Sequence, residues 1–466
     1  FGGKEEYPSI IAGHAAHLAW KTGKTVKIVY DRAEDMVATT KRHPSRTRHK
    51  TGVDKDGKMV AMEIEFVLDG GAYMTLSPVV LSRGTIHAAG PYACPNVRIK
   101  SRAVATNCPP HGAFRGFGAP QSIFALERQM DRVAKVIGLT PEEFRRRNFV
   151  RKGDTLATGQ VVKEDPDLSG LLDLALEKSD YHKKRKAFDK MKDGRQRGMG
   201  IATFMHGAGF TGSGEKFLAA VVRVEVIDSK IHVLSANTEI GQGTNTIFSQ
   251  VAADALGLEY DDIVVEIPDT SRVPNSGPTV ASRTCMIVGK LVEEAAQGIK
   301  KKLEAEKFLP ADSNRAQFFK ACQAYLKKKG KLHAEATYQQ PPHMQWNDQT
   351  YQGDAYGTFA WAAYIAEVEI DPITYQTEVK NFVAVQEVGK VVHPVLAEGQ
   401  IVGGVAQAIG FALTEEVVWE KGRMKNATLT NYIVPTAADT PPIEVYFKEQ
   451  PYHYGPQGAK GIGELP

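Results

Sequence analysis

Cysteine is scarce in this chain, and its placement argues against several kinds of metal site. Four cysteines occur among 466 residues, at Cys94, Cys108, Cys285 and Cys322. No two of them form a Cys-x-x-Cys pair, the spacing that is typical of iron–sulfur clusters and structural zinc sites. We therefore predict that this chain itself carries neither kind of site. The few scattered thiols also fit a cytoplasmic location.

Long apolar runs and a strong net charge are absent as well. No apolar run approaches the roughly 20 residues of a helical membrane span, so we predict no membrane crossing. The formal net charge is only +4, and basic runs such as 183–186 are not interleaved with aromatic residues. This pattern is typical of solvated helix faces and not of nucleic-acid binding. The chain begins with Phe1 and no methionine, and we expect it to be a fragment of a longer polypeptide.

Segments with helical and strand-like patterns alternate without an internal repeat. A length of 466 residues exceeds what one hydrophobic core usually supports. We therefore predict an α+β fold of two lobes, residues 1–155 and 196–466, joined by a connecting segment at 156–195. Helices are predicted at 10–20, 120–136, 140–147, 247–256, 286–302 and 399–416. Strands are predicted at 25–30, at 46–53 and 59–68 as a hairpin, at 198–204, 218–226 and 230–235 in a second sheet, and at 362–370 and 377–385 as a pair.

One glycine-rich stretch, GAFRGFGAPQ at 112–121, fits no regular element. Its three glycines and one proline interrupt any helix or strand period. Among them stand Phe114, Arg115 and Phe117. A flexible backbone can approach a ligand, a guanidinium can bind an anion, and an aromatic face can hold a planar ring. The alternative is a tight turn with a solvated arginine and two phenylalanines packed inward.

Four further glycine motifs follow along the chain. They read TEIGQGTNT at 238–246, GPTVASRT at 277–284, GQIVGGVAQ at 399–407 and GAKGIGE at 458–464. The Gly-Gln-Gly turn before a predicted helix presents backbone N–H groups that suit a phosphate or another anion. It is not a Walker loop, because the Lys-Ser/Thr pair is missing. Each motif in isolation is more simply a turn or a helix cap.

Taken together, the chain resembles the molybdopterin-binding part of the molybdenum hydroxylases, the xanthine dehydrogenase and aldehyde oxidase family. The matching segments are FGGKE at the start and the five glycine motifs, in the family's order and at about its spacing. The resemblance covers essentially the whole chain. It implies the two-lobed α+β fold of that family. It also implies a molybdenum with oxo and sulfido ligands that is held by molybdopterin, without a direct side-chain ligand.

The same resemblance implies a set of cofactor-binding residues. Phe1, Arg115 and Ala281 would lie next to the molybdenum. The residues that would hold the pterin and its phosphate, or lie along the cofactor, are Gly112, Ala113, Phe114, Gly241, Gln242, Gly243, Ser282, Arg283, Thr284 and Gln400. The family's glutamine at the apical side of the metal would precede Phe1. The site therefore requires the N-terminal part of the molybdenum domain as a partner.

The resemblance also implies catalytic and substrate residues. Glu464 matches the catalytic base, which takes a proton from a hydroxide ligand of the metal, and low hydration would favour that role. Glu5 and Arg83 match the residues that bind and polarise purines in the xanthine-oxidising members. Phe117 and Phe210 match the aromatic pair around the substrate ring, and Thr211 follows as in those members.

Other interpretations of these residues stay open. Glu5 can be a surface acid, and Arg83 can belong to a structural salt bridge. Glu5 is followed by Glu6 and Tyr7, where the family more usually has small residues. Hydroxylation of a purine or similar N-heterocycle is the leading prediction. An aldehyde or nicotinate-like substrate and a non-catalytic cofactor carrier are the alternatives.

Electrons that reach the molybdenum must leave it. In the family they pass to two [2Fe–2S] clusters and FAD in other domains or subunits, and this chain has the cysteines for neither cluster. The resemblance therefore implies such partners and a dimer of complete protomers.

Overall fold

The computed structural model describes residues 5–466 of the chain, and the predicted metal neighbour Phe1 lies outside them. Some of its helices start with standard signals; α5, for example, begins after Thr140 with a capping box and Pro141 at N1. The twelve α-helices of the described range are α1 (Glu6–Thr22), α2 (Arg32–Ala38), α3 (Ser77–His87), α4 (Ala119–Val136), α5 (Pro141–Asn148), α6 (Leu168–Lys178), α7 (Tyr181–Phe188), α8 (Gly214–Leu218), α9 (Thr244–Leu256), α10 (Gly289–Ala305), α11 (Arg315–Lys329) and α12 (Pro394–Leu413).

Strands make up the other half of the α+β architecture. The seventeen strands of the described range are β1 (Lys41–Arg42), β2 (Ser45–Val53), β3 (Met59–Gly71), β4 (Val97–Ala105), β5 (His111–Gly112), β6 (Gln196–Gly207), β7 (Val221–Ile227), β8 (Lys230–Leu234), β9 (Ile263–Val265), β10 (His333–Thr337), β11 (Trp346–Asn347), β12 (Gln352–Gly353), β13 (Phe359–Ile370), β14 (Thr377–Glu387), β15 (Trp419–Glu420), β16 (Arg423–Met424) and β17 (Ile443–Phe447).

Three larger sheets organise these strands. The first has the order β2-β3-β4, the second β10-β7-β8-β9 and the third β17-β14-β13-β6. The predicted hairpin is β2 and β3, which pair antiparallel, and the predicted later pair is β13 and β14. Side chains on β3 alternate between buried and more exposed positions from Met62 to Leu68, so one face of this sheet packs on the core. The predicted α+β class is confirmed.

Three larger hydrophobic cores connect elements from different parts of the chain. One core joins side chains of the first sheet and of α4 and α5 with side chains of α6, β6, β13 and β14. A second core lies between the sheet β10-β7-β8-β9 and helices α9 to α11. A third lies between α12 and the sheet that contains β13. The segment 156–195 thus contributes two helices, α6 and α7, to the first core. The boundaries themselves stay a prediction.

Three predictions about individual elements are wrong. Residues 25–30 form no strand, because within the described chain they find no neighbouring strand to pair with. Strand β6 pairs with β13 and not with β7 or β8, since all twelve residues of β6 match a partner on β13. Leu218, the predicted first residue of a strand, ends the short helix α8, and the strand begins at Val221.

Helix α12 begins earlier than its glycine motif predicts. It starts at Pro394, and the His393 side chain accepts the Leu396 N–H as an N-cap. Gln400 therefore lies in the second turn and not at the helix start. By length and composition α12 could cross a bilayer. In this fold Ile401, Val405 and Ile409 are buried in the third core, and 28% of the most apolar 18-residue window of α12 is buried.

Candidate functional site

A cavity of about 380 Å³ lies where the glycine motifs converge. It is bounded by the start of α9, the segment before α10, the turn between β14 and α12, and the last loop of the chain. Of the residues predicted to form the site, this cavity brings together Phe114, Arg115, Gln242, Gly243, Ser282, Thr284, Gln400 and Glu464. Residues from opposite ends of the chain thus share one wall.

Arg115 connects the first glycine loop to the other walls. Its Nε donates to the carbonyl oxygen of Gly463 at 2.7 Å, and its Nη2 donates to that of Gln400 at 2.8 Å. Burial lowers the pKa of Arg115 below its usual value. Gly118, in the same loop, has a φ of +98°, and a Cβ there would collide with the carbonyl oxygen of Val80. This loop therefore requires glycine and holds an arginine between two walls of the cavity.

The remaining predicted residues of this loop are held by neighbouring side chains. The Phe114 ring lies under the Arg42 guanidinium, 4.4 Å from ring centroid to Cζ. The Ala113 N–H donates to the carboxylate of Glu6 at 2.9 Å. A Cβ at Gly112 would collide with the same carboxylate, so only glycine fits there. Gly112 and Ala113 thus shape the loop from behind the cavity, whose lining begins with Phe114.

Glu464 and Arg83, both predicted from the sequence, form a buried ion pair at the end of the cavity. Arg83 Nη1 donates to Glu464 Oε2 at 2.8 Å, and the two side chains are only 3% and 4% exposed. The Glu464 N–H donates to Ser282 Oγ at 2.9 Å. Among the described residues, Glu464 Oε1 is buried and has no hydrogen-bond partner. One oxygen of this carboxylate is therefore oriented by Arg83, and the other is available to a ligand.

Arg83 stays charged in this environment. Burial by itself would lower the pKa of Arg83, but the nearby Tyr356, Glu464 and Glu5 raise it above the usual value. The second guanidinium nitrogen, Nη2, donates to the carbonyl oxygen of Gly209 at 2.6 Å. The salt bridge that was the alternative interpretation of Arg83 thus exists, and its partner is the predicted base.

Of the predicted aromatic pair, Phe117 contacts Arg83 and Phe210 contacts Arg283. Phe117 is packed in a small core, and its ring centroid is 5.7 Å from the Arg83 Cζ. Phe210 follows Gly209, which binds Arg83, and Phe210 lines a second cavity of about 330 Å³. Thr211 Oγ1 donates to the Tyr356 hydroxyl at 3.1 Å. None of these three side chains lines the main cavity. Phe117 contacts Arg83 directly, Phe210 follows the residue whose carbonyl oxygen accepts from Arg83, and Thr211 binds Tyr356.

The Gly-Gln-Gly turn differs from its prediction, which left the backbone N–H groups open to an anion. Instead Gly241 and Gly243 donate to Glu239 Oε1, at 2.7 and 3.0 Å, and Asn245 donates to Glu239 Oε2 at 3.0 Å. Burial would raise the pKa of Glu239, but these N–H groups outweigh that effect and lower it. The chain's own carboxylate thus occupies the turn, and Gln242 is the residue that faces the cavity along with Gly243.

The segment before α10 is conformationally strained. Ala281 and Ser282 have φ values of +57° and +54°, which non-glycine residues rarely adopt. A π-helical turn over Thr284–Val288 follows, a feature that is frequent at functional sites. Arg283 does not line the cavity; its guanidinium is fully buried against Glu215. The Arg283 side chain is thus engaged by Glu215, and its predicted cofactor contact stays a prediction.

Several polar residues of the cavity escaped the sequence prediction, among them two on the turn before α12 and one on that helix. Lys390, His393 and Gln407 line it together with the predicted residues. Lys390 and His393 belong to the turn between β14 and α12, and Gln407 lies two turns after Gln400 on α12. The His393-Pro394 pair could have predicted these residues, because it is typical of a helix start and places the first turn of α12 at this wall.

The cavity fits a polar heterocycle with an anionic group. Its walls offer the amides of Gln242, Gln400 and Gln407, the hydroxyl of Thr284 and the cation of Lys390. The unpartnered oxygen of Glu464 is at the same wall. Within residues 5–466, no group of three or more His, Cys, Asp or Glu side chains could hold a metal ion. These residues suit a pterin with its phosphate, and the metal would be carried by that pterin.

A buried histidine next to the site predicts an acid-sensitive fold. Burial and the charge of Arg83 lower the pKa of His206 from 6.5 to about 3. Between these pH values the unfolded chain binds a proton that the folded chain does not, so stability falls as the pH decreases. The slope is at most about 1.4 kcal/mol per pH unit for one such group. We expect the thermal unfolding temperature to fall as the pH decreases through this range, and less steeply in His206→Gln. An equal slope in both proteins would contradict this assignment.

Comparisons with known proteins bear on the whole chain. Family models described as the molybdopterin cofactor-binding domain match residues 1–149 and 174–441. A probable xanthine dehydrogenase subunit of Bacillus subtilis is 34% identical over all of this chain and 63% of its own length. The xanthine dehydrogenase/oxidase of Gallus gallus is 32% identical over all of this chain and 34% of its own length. The chain thus spans between about a third and two thirds of these relatives.

Solved structures give the same result for the fold. The aldehyde oxidoreductase of Desulfovibrio gigas superimposes with a TM-score of 0.87 at 30% identity, over 96% of this chain and 48% of that one. The quinoline 2-oxidoreductase of Pseudomonas putida 86 superimposes with a TM-score of 0.86 at 29% identity, over 96% of this chain and 60% of that one. The α+β architecture of this chain is therefore that of these proteins.

Proposed function

Because the chain belongs to the molybdenum hydroxylase family of the xanthine dehydrogenase and aldehyde oxidase type, as its molybdopterin-binding part, we propose that the complete enzyme hydroxylates a purine or similar N-heterocycle. The proposal rests chiefly on one observation. The buried ion pair of Arg83 and Glu464 lies within the electrostatic influence of Glu5. A cation that interacts with two carboxylates can recognise a ring that offers both a carbonyl and an N–H group.

Each charged group has a distinct task in this proposal. Glu464 Oε1 accepts the proton that is released when the oxygen atom is transferred, while Oε2 stays bound to Arg83. Arg83 stabilises negative charge on the substrate's carbonyl, and Glu5 accepts or shares the ring N–H. Low solvent exposure strengthens each of these interactions, since fewer water molecules compete for the same groups.

The remaining groups hold the substrate and the cofactor. Phe117 and Phe210 are proposed to enclose the substrate ring, with Thr211 behind them. When bound, the molybdenum–pterin group supplies the electron-accepting centre and the water-derived oxygen. Gln242, Gln400 and Lys390 would hold its pterin and phosphate, and Arg115 and Ala281 would lie next to the metal.

Partners complete the enzyme. We propose [2Fe–2S] and FAD domains or subunits as the electron path, the N-terminal part of the molybdenum domain as the remaining wall of the site, a dimer of complete protomers, and a cytoplasmic location. The relatives support this, since each is longer than the segment that this chain matches. An aldehyde substrate is the second candidate, favoured by the superposition on an aldehyde oxidoreductase.

Glu5→Leu distinguishes the two substrate classes. Because the substitution removes the acceptor for a ring N–H, we expect kcat/KM for xanthine to fall by about 10²-fold, which is the loss of one or two charge-assisted hydrogen bonds. The kcat/KM for an aromatic aldehyde is expected to change less than about threefold, within the effect of a neutral substitution. The measurement is steady-state kinetics of the complete complex with a panel of purines, quinolines and aldehydes.

The matched control is Glu6→Gln, because Glu6 is the neighbouring carboxylate and binds the Ala113 backbone N–H. Its amide oxygen can still accept that hydrogen bond, so both kcat/KM values are expected to stay near the wild type. A wild-type complex that carries molybdenum but oxidises only aldehydes would refute the purine proposal.

A further inference from the structure

Glu215 and Arg283 form a second buried ion pair behind the wall of the main cavity. Arg283 Nε and Nη2 donate to the two carboxylate oxygens of Glu215 at 2.9 and 2.8 Å. The two side chains are almost completely buried. The geometry is bidentate, which fixes the guanidinium in its plane. Neither residue has a task in the proposed chemistry, so their burial together requires another explanation.

The carboxylate of this pair holds the backbone of Phe210. The Phe210 N–H donates to Glu215 Oε1 at 3.1 Å. The preceding N–H, that of Gly209, donates to the carbonyl oxygen of Ala281 at 2.8 Å. Two consecutive amides are thus held by the segment 281–283, one directly and the other through Glu215 and Arg283. The orientation of the Phe210 ring depends on this backbone.

The guanidinium of the pair holds the strained segment on which Glu464 depends. Arg283 Nη1 donates to the carbonyl oxygens of Ser276 and Pro278, at 2.7 and 3.2 Å. These bonds connect the two ends of the turn that contains Ser282, whose hydroxyl accepts the Glu464 N–H. Left-handed φ values at consecutive non-glycine residues persist only where surrounding contacts enforce them. Arg283 supplies such contacts.

The net stability of a buried ion pair is usually small, because the loss of hydration offsets the attraction between the charges. Its geometric effect is larger, since loss of the Glu215 acceptor would release Phe210 and loss of Arg283 would release the turn around Ser282. We propose that Glu215 and Arg283 are positioning residues, Glu215 for the Phe210 ring and Arg283 for Ser282 and thereby Glu464. The inference rests on the proposed function only for the roles of Phe210 and Glu464.

Two double variants distinguish the role of Glu215 from that of Arg283. Glu215→Gln/Arg283→Met removes both charges but keeps an amide oxygen for the Phe210 N–H. Glu215→Leu/Arg283→Met removes the charges and that acceptor. Both avoid an unpaired buried charge, which would itself destabilise the fold by about 3–5 kcal/mol. The matched control is Glu127→Leu/Arg145→Met, since Glu127 and Arg145 form a similarly buried pair that does not line either cavity.

The expected results differ between kcat and KM. The two double variants of the pair are both expected to lower kcat by about 10-fold, because Ser282 and Glu464 lose the support of Arg283. Only Glu215→Leu/Arg283→Met is expected to raise KM for the heterocycle by about 10-fold, because the Phe210 N–H loses its acceptor and the ring is released. The control pair is expected to alter stability without altering kcat or KM.

Amide hydrogen exchange of the complete complex, measured without substrate, supplies a readout that does not depend on turnover. Peptides that span residues 207–214 are expected to exchange about 10-fold faster in Glu215→Leu/Arg283→Met and at near wild-type rate in Glu215→Gln/Arg283→Met. Equal exchange in the two double variants, or equal effects of the control pair on KM, would overturn the positioning role. If the exchange pattern holds while the wild type oxidises no heterocycle, the positioning role stands and the proposed substrate falls.

Discussion

Glu464→Gln is expected to lower kcat of the complete enzyme by about 10³-fold, the usual size of the loss of a general base. The amide nearly matches the carboxylate in shape and can still accept the hydrogen bond from Arg83. It cannot take up a proton at Oε1, the oxygen that has no partner among the described residues. The measurement is stopped-flow reduction by xanthine together with molybdenum analysis of the same preparation.

The molybdenum content of Glu464→Gln is expected to equal that of the wild type. Glu142→Gln is the matched control, because Glu142 is also a buried carboxylate with one oxygen that lacks a hydrogen-bond partner in the described chain. Glu142 does not line the cavity, so this control is expected to retain full kcat. A Glu464→Gln enzyme with normal metal content and more than a tenth of wild-type kcat would show that another group accepts the proton.

Arg83→Met is the second substitution with a large expected effect. It removes the donor to Glu464 and the donor to the Gly209 carbonyl oxygen in one step. It also removes the charge that would stabilise a substrate oxyanion, which is commonly a loss of about 10²–10³-fold in kcat. The Glu464 carboxylate is left buried without its cation, at a cost to stability of about 3–5 kcal/mol. We expect kcat/KM and the thermal unfolding temperature to fall together.

Two companion variants separate catalysis from stability at this position. Arg83→Met/Glu464→Gln contains no unpaired charge, so its unfolding temperature is expected to return towards the wild type while activity stays lost. Arg83→Lys keeps the charge but not the two-directional donor geometry, and intermediate activity is expected. If the double variant were as unstable as Arg83→Met, the ion pair would not be the source of the instability. If Arg83→Met kept wild-type kcat/KM, Arg83 would be a structural residue only.

The sequence predicts local features well where local chemistry controls them. The capping box at Thr140 and the β2–β3 hairpin depend on residues within a few positions of one another, and both are present. The glycine loop at 112–121 is irregular as predicted, and Gly118 has a backbone conformation that favours glycine. The glycine motif predicts that α12 starts at residue 399, but the helix starts at Pro394, after the His393 N-cap.

Sequence patterns say less about the direction of side chains. The motif of Arg283 predicts a contact with the cofactor, but the side chain points to Glu215, which is 68 positions away in the sequence. The N–H groups of the Gly-Gln-Gly turn do form an anion-binding cluster, yet Glu239 accepts them. Tertiary packing chose the partner of Arg283, whereas Glu239 accepts N–H groups that are only two to six residues away in the sequence.

The sequence by itself determined which kinds of residue and loop this protein has: the order of its glycine motifs, the family they indicate, and Glu464 and Arg83 as candidates. The tertiary structure decided how these residues are combined. It placed Arg83 against a carboxylate 381 positions away, left the other oxygen of that carboxylate without a hydrogen-bond partner in residues 5–466, and paired Arg283 with Glu215 outside the cavity lining. The physical reason is that a motif specifies local backbone conformation, whereas the partner of a buried charge is chosen by whichever distant segment packs against it.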